Sequence, residues 1–275
     1  MKILLKTGIL FGLMGLLASN NALAEISPTS KKHMQQVIAA EHRSEKNKNR
    51  DQYRHPLETL SFFRVESDMT VVEIFPGGGW YAEILAPYVK DKGQYYGAGF
   101  DAESKVKFFR VNAEKFKKKV SSNPEIYGGA IVTELAPPHK TAIAPEGSVD
   151  RVLTFRNVHN WMSGGYADGV FSAMYKALKP GGLMGLVEHR GDENIEQDPK
   201  SESGYVNQGY VIELAKKAGF ELVASSEVNA NPKDTKNHPK GVWTLPPTMR
   251  LKDKDREKYL AIGESDRMTL LFRKP

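Results

Sequence analysis

Short apolar, β-prone runs alternate with helix-compatible stretches along most of this chain, and no other feature restricts its fold as much. The runs predict strands over Thr70–Phe75, Gln94–Gly99, Ala130–Thr133, Arg151–Phe155, Leu183–Glu188 and Phe220–Ser226, with a last strand over Met268–Arg273. Helical patterns fall between them, over Tyr81–Val89, Ala102–Val120, Tyr166–Leu178 and Val206–Ala218. Such alternation implies βαβ crossovers and a mainly parallel sheet covered on both faces, an α/β fold. Lys179-Pro180-Gly181-Gly182 closes one helix and turns the chain toward the next strand, and Gly219 repeats that role.

Three segments lie outside the alternation. Residues 1–24 carry Lys2 and Lys6, an apolar stretch from Thr7 to Ala18, and the small-x-small site Ala22-Leu23-Ala24. This pattern predicts a secretory signal peptide cleaved after Ala24, so the expected location is periplasmic or secreted. Its apolar stretch falls short of the roughly 20 residues a membrane span needs, and no membrane association is expected after cleavage. Residues 25–60 form a polar, basic, helix-compatible N-terminal extension, and residues 61–275 the main domain. Within that domain residues 228–266, rich in Pro, Asn and Lys, break the alternation as a long insertion before the last strand.

Composition excludes several functions. With no cysteine, the chain has neither disulfides nor thiolate ligands or nucleophiles. Losing Lys2 and Lys6 takes the formal charge from +6 to +4, a mild excess spread along the chain. The densest cluster, Lys115 with Lys117 to Lys119, reads as a solvated helix face, so no nucleic-acid partner is expected. His33, His42 and His55 lack metal-ligand spacing, and no metal is predicted.

The first strand runs into Pro76-Gly77-Gly78-Gly79 and then a helix. A glycine turn between strand and helix brings bare backbone amides against a ligand, as nucleotide pockets require. A phosphate loop ending in Gly-Lys-Ser/Thr is excluded, because Trp80-Tyr81 follow Gly79. A dinucleotide reading survives: Gly77-x-Gly79-x-x-Ala82 fits its fingerprint, and Asp101 follows Gly77 by 24 residues, near the distance for a ribose-binding acid. Glu73, four residues before Gly77, argues against a pyrophosphate and for a cationic, phosphate-free ligand.

Val71 to Gly79 resembles the first motif of class I S-adenosylmethionine-dependent methyltransferases, and Ala177 to Gly182 resembles their turn before the fifth strand. Gly147 to His159 is similar to their fourth strand, and Pro-Gly-Gly-Gly-Trp-Tyr with a late Glu-Ser-Asp-Arg-Met resembles a group of exported predicted methyltransferases. The resemblance implies a Rossmann-like sheet of seven strands, the last antiparallel, with S-adenosyl-L-methionine as cofactor. It implies that Glu73, Gly77 and Gly79 line the methionine part, that Asp101 meets the ribose, Glu134 the adenine edge, and Asn157 the reactive methyl. Phe75 stands where that family usually has a glycine.

Methyl transfer needs alignment and shielding more than acid–base help, though a neutral histidine can take a proton from the acceptor. His159 and His189, just past the fourth and fifth strands, are the candidate catalytic residues. Arg190 either pins an anion or pairs with Glu188, and the pair is the expectation. Trp80, Tyr81 and Trp161 flank the expected pocket, where aromatic faces can attract a sulfonium. The expected function is methyl transfer to a small molecule; the alternatives are a non-catalytic periplasmic receptor for a nucleoside or metabolite and a nicotinamide-dependent oxidoreductase.

Overall fold

The computed structural model describes residues 25–275, and the predicted signal peptide lies outside them. The extension folds as helices α1 (Pro28–Ala39), α2 (Glu45–Lys48), α3 (Asp51–Arg54) and α4 (Pro56–Phe62). The alternating region follows as β1 (Thr70–Ile74), α5 (Ala82–Val89), β2 (Gln94–Gly99), α6 (Lys107–Ser121), α7 (Pro124–Tyr127), β3 (Ile131–Glu134) and β4 (Val149–Phe155). It continues with α8 (Val158–Gly164), α9 (Ala167–Ala177), β5 (Leu178–His189), α10 (Gln208–Lys217) and β6 (Glu221–Ser226). A 3-10 turn at Gly241–Thr244, α11 (Arg256–Ile262) and β7 (Arg267–Arg273) complete the chain.

The seven strands form one sheet in the order β3-β2-β1-β4-β5-β7-β6. β1 pairs in parallel with both β2 and β4, whereas β7 runs antiparallel between β5 and β6. The expected mixed sheet with one reversed strand is therefore observed. Strand order reverses at β1 and β4, and ligands of open α/β sheets sit in the crevice at such a point.

Alternate residues separate two cores, as the two-residue strand period dictates. Val72, Ile74, Val152, Leu270 and Phe272 pack with α8, α9 and α10. Val71, Leu153 and Leu271 face Met34 and Leu60 of the extension and Ile84 and Leu85 of α5. Glu73 shares the face of Val71, so its carboxylate points toward the layer that the extension covers.

Helix α6 starts later than its pattern predicts. α6 begins at Lys107 because Asp101 and Ser104 accept hydrogen bonds from the Glu103 and Val106 amides, holding a turn that competes with helix. Near the C-terminus, Lys252 and Asp255 hold left-handed backbone angles, so the charged stretch from Leu251 becomes helical only at Arg256.

Candidate functional site

β1 ends at Ile74, and the chain turns sharply over Phe75, which sits at φ 47°, a conformation costly for a side chain with a Cβ. Gly77 (φ 57°) and Gly79 (φ 80°) need glycine for the same reason. Gly78 does not: its φ is unexceptional, and a Cβ there would meet nothing within 4 Å. Gly77 and Gly78 border a cavity of about 430 Å³ at the carboxyl ends of β1, β4 and β5. Glu73 forms part of its floor. It is buried, accepts a 2.7 Å hydrogen bond from Tyr95, and has its pKa pushed up to about 7 by desolvation, against the pull of Tyr95, Arg54 and Lys119.

The cavity wall is rich in guanidinium groups. Arg50 and Arg54 come from the extension, Arg156 from the turn after β4, and Arg267 from the start of β7. Glu264 is the carboxylate that compensates them. It accepts from Arg50 Nε at 2.6 Å and from Arg267 Nη2, and it lies 4.0 Å from Arg54 Nε. Burial favours its neutral form, yet Arg267, Arg50 and Arg54 together hold its pKa at about 2. Arg156 adopts φ 62°, and burial with the charge of Arg267 lowers its guanidinium pKa to about 10. Backbone strain of this kind persists where the surroundings over-determine it, and functional sites are where it concentrates.

His159 and His189 meet on the same cavity. His159 lies in the first turn of α8, where Glu188 accepts its backbone amide at 3.3 Å and its Nδ1 at 3.0 Å. Glu188 is fully buried and also accepts the His189 amide at 2.8 Å. His189 ends β5, opposite Arg267 of β7, and its Nδ1 lies 2.5 Å from Ser265 Oγ. The two imidazole centroids are 5.4 Å apart. With both Nδ1 atoms engaged, Nε2 of each ring is the nitrogen without a hydrogen-bond partner among the described residues. Burial, the neighbouring His159 and the cationic Arg267, Arg156 and Arg54 hold the His189 pKa well below the ordinary imidazole range, so this ring is neutral at pH 7. The ligand atoms of His159, Glu188 and His189 lie within 4.8 Å of one another, the spacing a metal ion uses, but the surrounding guanidiniums raise the cost of a cation there.

The other sequence-predicted residues divide between two places. Asn157 lines the large cavity, its amide donating to Ile74 O at 3.0 Å and to Thr154 Oγ1 at 3.3 Å. Asp101 and Glu134 lie outside it, bridged by Lys140 at 2.7 and 2.5 Å. Asp101 borders a separate cavity of about 150 Å³, shared with Phe100, Leu135 and Tyr166. Phe75 borders both, its ring stacked on Phe100 with centroids 4.6 Å apart, and so stands between the two spaces.

Several local expectations change. Arg190 does not pair with Glu188: it is held by Asp266 and Glu227, which lie closer to the loop it enters. Lys119 is not a solvated cation, because its amine bonds Glu83 at 2.6 Å and the Gly78 carbonyl at 2.9 Å, bracing the glycine turn. The Arg43 and Arg54 guanidiniums both lie over the Trp80 ring, and Trp161 is fully buried in the core. His42 bonds the Glu83 carbonyl at 2.7 Å. From the insertion, Val242, Trp243 and Pro246 to Thr248 border the large cavity, with the Trp243 ring edge-on to His159 at 6.0 Å.

No family model and no curated protein matches the chain. Solved structures do. A SAM-dependent methyltransferase from Aquifex aeolicus superposes with a TM-score of 0.55 at 14% identity, over 89% of this chain and 98% of its own. The 4+2 cyclase SpnF superposes with a TM-score of 0.52 at 13% identity, over 91% of this chain and 97% of its own. Identities this low speak for the fold, and one neighbour is a cyclase, so the reaction has to be argued from the site. The strand order, the reversed β7 and these likenesses together identify the chain's architecture as the Rossmann-like fold of class I methyltransferases.

Proposed function

We propose that this chain is an enzyme that transfers a methyl group from S-adenosylmethionine to a small molecule, in the exported compartment to which its leader directs it. One observation carries the reading: the bare backbone of Gly77 and Gly78 faces a cavity whose wall holds an oriented histidine pair. Gly78 needs glycine neither for its backbone angle nor for packing, so the open space above it is room for a ligand. When bound, S-adenosylmethionine supplies an electrophilic methyl group on a sulfonium sulfur.

This chain's residues fit the two ends of such a compound. Glu73 and Asn157 lie beneath and beside the glycine turn, and the smaller cavity, with Phe100, Leu135 and Asp101, offers an apolar slot edged by a carboxylate. His159, with Nδ1 held by Glu188, presents Nε2 as a proton acceptor for the incoming group. Trp243 and the proline segment after it shield the same space from water. Calorimetry with S-adenosylhomocysteine and with NAD tests the proposal. Binding of the first without the second is expected; binding of NAD alone would replace methyl transfer by hydride transfer.

A second reading, a non-catalytic receptor for a nucleoside or other metabolite, is favoured by Phe75, whose ring separates the two cavities. Phe75→Gly distinguishes the two. If an adenosyl compound spans both spaces, removing the ring speeds its association; if the receptor reading is right, S-adenosylhomocysteine affinity does not respond.

A further inference from the structure

Arg54 is the most telling side chain in the large cavity. It is 4% exposed, yet among the described residues its guanidinium makes no hydrogen bond; its nearest carboxylate oxygen, on Glu264, is 4.0 Å away. Arg156 bonds Val187 O through its backbone amide, but among the described residues its guanidinium makes neither a hydrogen bond nor an ion pair within 4 Å. Glu264 spends its oxygens on Arg50 and Arg267, and even so Arg50 Nη2, Arg54 Nε and Arg267 Nε stay buried without a partner. Buried charges in folded proteins are paired, because removing an ion from water without compensation is strongly unfavourable. These groups arrive from three separate parts of the chain, so their convergence is not a by-product of one helix or strand.

We propose that the cavity binds a small-molecule acceptor bearing a carboxylate or phosphate group, clasped by Arg54 and Arg156. Treating that anion as the acceptor rests on the methyl-transfer reading; the anion site itself does not. Guanidiniums suit this task because their forked donors match two oxygens at once. The neutral His189 and the Glu188-oriented His159 lie on the same cavity, so an anion held here stays beside imidazoles, and Glu73 on the floor is the one carboxylate among the lining residues.

The test is calorimetric titration of the purified chain with inorganic phosphate and with malonate, each with and without saturating S-adenosylhomocysteine. The expected result is uptake of at least one anion in both conditions, and which of the two binds distinguishes phosphate from carboxylate chemistry. Affinity should fall about 10- to 100-fold in Arg156→Gln and in Arg54→Gln, the loss of one charge-assisted pair. Without anion, the melting temperature of Arg156→Gln should hold or rise, because the change removes a like charge from a crowded wall; a merely structural arginine would lower it. The proposal is overturned if the wild-type chain takes up neither anion, if both variants keep wild-type affinity, or if S-adenosylhomocysteine abolishes anion uptake, which would assign the guanidiniums to the cofactor. Anion uptake with no S-adenosylhomocysteine binding would sustain the site while removing the methyl-transfer reading.

Discussion

Glu188 Oε1 lies 3.0 Å from Nδ1 of His159, and the same fully buried carboxylate also accepts the backbone amides of His159 and His189. One side chain at the end of β5 thereby sets the orientation of two imidazoles carried by different elements. Both Glu188 oxygens accept backbone amides, so in this geometry the oxygen facing His159 accepts and Nδ1 donates, which leaves Nε2 as the acceptor nitrogen.

Glu188→Gln should break this arrangement. An amide oxygen cannot serve all three donors, and the amide's own N–H groups face His159 Nδ1, favouring the opposite tautomer. Nitrogen-15 NMR of the histidine rings should show the proton on Nδ1 in the wild type and a shift toward Nε2 in the variant. The turnover rate should fall on the order of 10²-fold or more, with a stability loss of about 1–3 kcal/mol. An unchanged tautomer would refute the orienting role.

Glu73 predicts a pH dependence of stability. Its folded pKa of about 7 lies above the 4.5 of a free glutamate, so folding favours the protonated form. Its contribution is complete below about pH 4.5 and is lost as pH rises through 7. Glu73→Gln removes that loss: relative to wild type, the variant should gain up to about 3 kcal/mol by pH 8 compared with pH 4. Urea unfolding across this range measures the difference, and parallel pH profiles for the two proteins would show that Glu73 ionises freely.

Glu264 should behave in the opposite sense. Held at about 2, its pKa lies below the free value of 4.5, so its stabilising effect is present above about pH 4.5 and disappears as pH falls toward 2. Glu264→Gln leaves Arg50, Arg54 and Arg267 without their shared carboxylate and should cost about 3–5 kcal/mol at pH 7. Thermal melts of variant and wild type should converge as the pH is lowered toward 2.

The glycine turn separates folding from binding. Gly79→Ala forces a Cβ into a left-handed backbone 3.2 Å from the Lys119 amine, and should cost about 1–2 kcal/mol of stability. Gly78→Ala meets neither obstacle, so its melting temperature should be unchanged while affinity for S-adenosylhomocysteine drops about tenfold or more. A Gly78→Ala protein that binds like wild type would show that the ligand does not approach this backbone.

How far the sequence discloses all this depends on the reach of each signal. Strand runs and their alternation are local patterns, and β1 to β7 appear where those patterns lie, with shifts at element ends; the largest is β5, which starts at Leu178, so that the Lys179-Pro180-Gly181-Gly182 stretch read as a turn lies within the strand. The glycine turn is likewise local. His159 and His189 were legible as residues just past strand ends, which an α/β sheet brings to one rim. The guanidinium wall was not legible: Arg50 and Arg267 are separated by more than two hundred positions, and in a chain with 39 basic residues no single arginine stands out. Only Arg156, next to Asn157 at a strand end, carried a positional hint. Lys119 misled for the converse reason. Its lysine-rich surroundings read as a solvated face, while the helix packs against the glycine turn and turns that one amine inward.

Two of the four cavity arginines belong to the stretch before the first strand, which the sheet itself does not include. The charge preference of the pocket is thus written largely outside the scaffold that shapes it. An otherwise similar sheet with a different leading segment could accommodate a neutral or positively charged compound, so likeness in the strands alone says little about which molecules two such proteins accept.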